Sequence, residues 1–131
     1  MFIDTNYFFR FLFKDIRDQY AEVESLFLSS SEGKASLITS TVVFFEFYWV
    51  LKSYYEKNKP EIVRVLSEVL NFNFIVLEER KILSDALSLF RQNNLDLEDC
   101  YNLFYAKFRK VKSGEFKTFD KKLEREFNKT K

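Results

Sequence analysis

The chain has no histidine and a single cysteine, Cys100, in 131 residues. One cysteine excludes an intrachain disulfide framework and a Cys-rich zinc module, and the lack of histidine removes most zinc sites and every His-based general acid or nucleophilic dyad. Acid-base or metal chemistry therefore falls to carboxylates. Two glycines and one proline cannot punctuate a turn-dense β-sandwich or barrel, and they exclude collagen-like and Pro/Gly-rich disordered chains. Long hydrophobic runs are also missing. The longest stretch without a charge, Ala35 to Phe45, has 11 residues and contains Ser and Thr, short of the roughly 18 to 20 needed to cross a bilayer. Asp4 and Arg10 interrupt the apolar N-terminus, so no signal-peptide core is read there and a cytoplasmic protein is predicted.

What is abundant is aromatic. Seventeen Phe, seven Tyr and one Trp supply ample core for one domain, read as residues 1 to 131, since each aromatic can bury roughly 150 to 250 Å². Net charge is +1, but it is unevenly placed: Lys107 to Lys131 carries 10 Lys/Arg against 4 Asp/Glu. Such a basic segment suits a phosphate-bearing partner or, equally, a solvated helix face.

The apolar spacing predicts strands at Phe2 to Asp4, Ala35 to Thr39, Phe74 to Leu77 and Phe116 to Phe119, separated by helical segments. Ser40 or Thr41 is placed to cap one helix, Pro60 lies in the first turn of another, and Asp120 caps the last. Strands alternating with helices imply right-handed crossovers and an α/β fold, an α/β/α sandwich around a mainly parallel sheet of four or five strands.

Four acids stand out. Asp4 follows the first predicted strand, at the rim where open parallel sheets bind ligands. Glu46 interrupts the otherwise uncharged run Thr41 to Leu51, with Val42, Val43, Trp49 and Val50 as its helical neighbours. Asp99 opens a helix within Asp96, Leu97, Glu98, Asp99, and Asp120 follows the last predicted strand. Each of the helix-start acids also suits a cap, and Asp96 suits that role better than membership of a site. Gathered together, four carboxylates need a cation, and oxygen-only ligation points to Mg²⁺ or Mn²⁺.

These residues resemble the PIN-domain family of metal-dependent nucleases, and in size and layout the VapC-type endoribonuclease toxins. The matches are Asp4, Thr5 and Asn6, then Glu46, Asp99, and the stretch Thr118 to Leu123. The resemblance implies a parallel sheet between helices and an acidic quartet of Asp4, Glu46, Asp99 and Asp120, with Asn6 and Thr118 orienting it. It implies a Mg²⁺-dependent endoribonuclease, the toxin of a type II toxin-antitoxin pair acting on tRNA or other structured RNA, with a small antitoxin and a homodimer as partners. Lys121, Lys122, Arg125 and Arg10 are the candidate RNA contacts. The alternatives are a non-catalytic PIN-like RNA- or protein-binding module, against which retention of all four acids speaks, and a PIN nuclease of RNA maturation or decay. The chain ends soon after Asp120, leaving little for the additional terminal strand that many family members carry.

Overall fold

The computed structural model describes residues 1 to 131, which divide into two compact units, Met1–Glu79 and Arg80–Lys131. The first unit holds helices α1 (Thr5–Phe13), α2 (Arg17–Ser31), α3 (Thr41–Ser53) and α4 (Lys59–Leu70), with strands β1 (Leu37–Ile38) and β2 (Ile75–Val76). The second holds α5 (Arg80–Gln92), α6 (Leu97–Phe108) and α7 (Lys121–Lys129).

Local chemistry sets the helix starts. The Ser40 hydroxyl accepts from the Val43 N–H, and the Asn58 side chain accepts from that of Glu61 with Pro60 in the first turn. Lys14, with φ of 52°, closes α1 in a left-handed cap whose N–H returns to the Arg10 carbonyl. Beneath these elements lies an aromatic core. Phe8, Phe9 and Phe47 tie α1 to α3, with Phe9 and Phe47 centroids 4.4 Å apart, and Phe27 of α2 meets Phe72 at 5.7 Å. In the second unit, α5 packs on α6 through apolar faces that include Leu83, Ala86, Leu97, Cys100 and Leu103. Cys100 is fully buried and forms no disulfide.

The sheet is where the expectation fails. Its two strands are parallel, Leu37 opposite Ile75 and Ile38 opposite Val76, and Phe2 adds only a single bridge to Ile38. Helices dominate, so the predicted four- or five-stranded α/β/α sandwich, and with it the PIN-type sheet that the resemblance implied, is corrected to a largely helical chain with a minimal parallel pair. Two local causes can be named. After Ile3 the chain turns into the N-cap of α1, which ends the first strand before it can lengthen. The Phe116 to Phe119 segment follows a turn at Gly114 and pairs with no strand; it is held instead by its side chain, the Phe116 ring stacking nearly coplanar on Phe127 at 4.4 Å. Leu37 and Ile75 are buried while Phe2, Ile38 and Val76 face solvent, so this sheet is covered on one face only. No helix is long and apolar enough to cross a membrane.

Candidate functional site

The candidate acids fall into both units. In the first, Asp4 is the N-cap of α1, and its carboxylate accepts from the Asn6 backbone N–H at 3.1 Å. Asn6 thus orients Asp4 through its main chain. The next residue, Thr5, is buried and donates its hydroxyl to Glu46 Oε1 at 2.7 Å, linking the start of α1 to the middle of α3. Glu46 itself is exposed, and so are its neighbours Val42 and Trp49. Val43 is buried and Val50 half-buried, so Glu46 stands at the edge of the inward face of α3 and escapes the burial that its sequence neighbours suggested.

A third acid in this unit was missed by reading the sequence. Glu79, just past β2, accepts from the Thr41 hydroxyl at 2.5 Å. Like Asp4, it stands beyond the carboxyl end of a strand segment. The signal was present as Glu78 and Glu79 directly after a predicted strand. Arg10 points elsewhere: it bonds Gln19 and pairs with Asp15 at 3.3 Å.

In the second unit Asp96 occupies the N-cap position of α6 without making a side-chain cap bond, and Asp99 lies in the first turn. Burial, then the like charges of Asp96 and Asp120, raise the Asp99 carboxyl above its ordinary pKa. Between them on the chain, Glu98 Oε1 is buried without a hydrogen-bond partner. The Asp120 carboxylate caps α7, accepting from the N–H groups of Lys122 and Leu123 at 3.0 and 3.1 Å, while its own N–H donates to the Thr118 hydroxyl at 3.0 Å. Thr118 therefore fixes the approach to α7. Lys121 and Arg125 are exposed, Lys122 is half-buried, and none of the three forms an ion pair.

No three acidic or thiol side chains form a group that could hold a metal ion. Without such a group, and without the sheet rim that was to collect the quartet, the expectations of a Mg²⁺-dependent endoribonuclease, of a VapC-type toxin and of a PIN-like binding or RNA-processing module are corrected. A phosphodiester hydrolase of that kind needs its carboxylates converged on one ion before water can be activated.

Among families, the model described as the PIN domain matches residues 1 to 126. No curated protein and no solved structure matches.

Proposed function

The chain belongs to the PIN-domain family, and from that premise we propose that it binds a divalent cation, Mg²⁺ or Mn²⁺, at the opening turn of α6, next to a basic surface that takes RNA. The donor chemistry fits. Asp96, Asp99 and Asp120 are hard oxygen donors close enough for the charges of two to raise the pKa of the third, and Glu98 in the same turn holds an unpartnered oxygen. Mg²⁺ keeps several of its waters and takes only one or two protein carboxylates, so a preassembled set of three is not required. The single observation that carries the reading is the buried Oε1 of Glu98, which has no hydrogen-bond partner in the same opening turn as Asp96 and Asp99 and which a cation would satisfy.

Asp99 would hold the ion directly, and Asp96 and Asp120 would contribute through its waters. Such an ion supplies positive charge to which an anionic oxygen can bind. The chain's own residues do the rest: Asp120 stays fixed by its bonds to α7, and Lys121, Lys122 and Arg125 offset the repulsion that an acidic turn exerts on a phosphate. The reading places the protein in the cytoplasm, where a lone buried thiol stays reduced.

Calorimetric titration with Mg²⁺ and with Mn²⁺ tests the proposal on the wild type and on Asp99→Asn. Saturable binding is expected in the wild type, weakened at least tenfold in the variant. Absence of binding in the wild type, or equal binding in both, ends it.

A further inference from the structure

The ring of Phe119 touches no other ring and is completely exposed, the most exposed of the large apolar residues in the chain. It is not on a loose loop. Three residues before it, Phe116 is stacked on the buried Phe127; immediately before it, the Thr118 hydroxyl accepts from the Asp120 N–H; immediately after it, Asp120 caps α7. The backbone on both sides of Phe119 is thus anchored, and the ring is presented to solvent from a fixed frame.

The surroundings are cationic. Lys117 and Lys121 are exposed, Lys122 is half-buried, and Arg125 follows Lys121 by one helical turn. None of these four is neutralised by an ion pair. Two acids lie among them: Asp120, whose carboxylate is engaged by two backbone N–H groups, and the half-buried Glu124. A polar hollow of about 250 Å³, lined in part by Ser113, Lys117, Thr118, Glu124 and Asn128, shares Lys117 and Thr118 with this surface.

A free aromatic face flanked along the chain by lysines without ion pairs complements a polyanion that carries π faces of its own. Single-stranded nucleic acid is that ligand, because its bases are unstacked and its phosphates lie within reach of the same rim. A membrane surface fits less well: the apolar face of α7, Leu123 and Phe127, is buried, so a single ring remains to enter a bilayer. We propose that Phe119 is a stacking platform for one unpaired base of an RNA strand, with Lys117, Lys121, Lys122 and Arg125 holding the flanking phosphates. This rests on the RNA partner proposed above and adds the residue and the form of RNA that it recognises.

The test is fluorescence anisotropy with a labelled single-stranded RNA and its duplex, on the wild type, Phe119→Ala, Phe119→Trp and the Lys121→Ala/Lys122→Ala pair. Tight binding of the single strand over the duplex is expected. Phe119→Ala should weaken it roughly tenfold, in the range of one lost base stack, with Phe119→Trp close to wild type. The salt slope should be unchanged in Phe119→Ala and fall by about 1.4 in the lysine pair, as two phosphate contacts on a single strand require. Wild-type affinity in Phe119→Ala would overturn the stacking role while leaving an RNA partner standing. No RNA binding by the wild type at low salt would overturn both. Tighter binding to anionic phosphatidylserine vesicles than to RNA, lost in Phe119→Ala, would assign the surface to a membrane instead.

Discussion

Asp99 is the residue whose charge the fold opposes. Its pKa is raised in the folded protein, so the native state binds a proton more readily than the unfolded chain between the two pKa values. Stability is therefore lost as pH rises through that window and levels off above it. Asp99→Asn should have an equal or higher Tm than the wild type at pH 7, with the difference shrinking as pH falls below the ordinary carboxylate range. A lower Tm for the variant at pH 7 would mean that the ionised carboxylate is stabilising. The Thr5 to Glu46 bond gives a second test at this scale. Thr5→Val should cost about 1 kcal/mol in chemical denaturation, the worth of one hydrogen bond, while Glu46→Gln keeps an acceptor oxygen and should change stability by under about 0.5 kcal/mol. Equal losses in both would show that the charge of Glu46, not its acceptor, ties α1 to α3.

At the scale of elements, two acids that look alike in sequence do different work. Asp120 accepts two N–H groups at the start of α7, whereas Asp96, at the same position of α6, accepts none. Asp120→Ala should destabilise the protein by about 1 kcal/mol and Asp96→Ala by less than about 0.5 kcal/mol, measured by denaturant midpoint. The reverse order would mean that α6 depends on Asp96 in solution. The nine residues of α7 are held chiefly by Leu123 and Phe127, the latter sandwiched between the Phe116 ring and the Lys107 ammonium 3.9 Å from its centroid. Phe127→Ala should cost about 3 to 5 kcal/mol and expose the α7 amides to hydrogen exchange before the rest of the chain.

For the whole molecule, charge is divided between the units. Met1–Glu79 carries 8 Lys/Arg and 12 Asp/Glu, Arg80–Lys131 carries 13 and 8. The acids that raise Asp99 and the basic helix next to Asp120 both belong to the positive unit. Because a ligand that binds only the native state stabilises it by mass action, saturating Mg²⁺ should raise the Tm, by about 2.7 kcal/mol equivalent at a hundredfold excess over Kd. Asp99→Asn should abolish that shift and Glu46→Gln should leave it. Loss of the shift in Glu46→Gln as well would overturn the assignment of the ion to the opening turn of α6.

The helices were readable from sequence because their signals are local. Ser40, Asn58 with Pro60, and Asp120 start helices where their side chains meet N–H groups two or three residues on; that Leu123 and Phe127 of α7 face inward is shown by the structure. The aromatic core followed from composition. The sheet did not follow, because a strand exists only when another strand is free to pair with it. Phe116 to Phe119 has the residues of a strand, yet it pairs with no other strand: Phe116 stacks on Phe127 and Phe119 stands in solvent. The acids divide in the same way. Residue type and order marked Asp4, Glu46, Asp99 and Asp120, but only the folded chain decided that Glu46 faces water, that Thr5 reaches it, and that Asp99 is the carboxylate pressed by its neighbours. Solvent exposure and charge proximity depend on residues distant in sequence, and tertiary packing sets both.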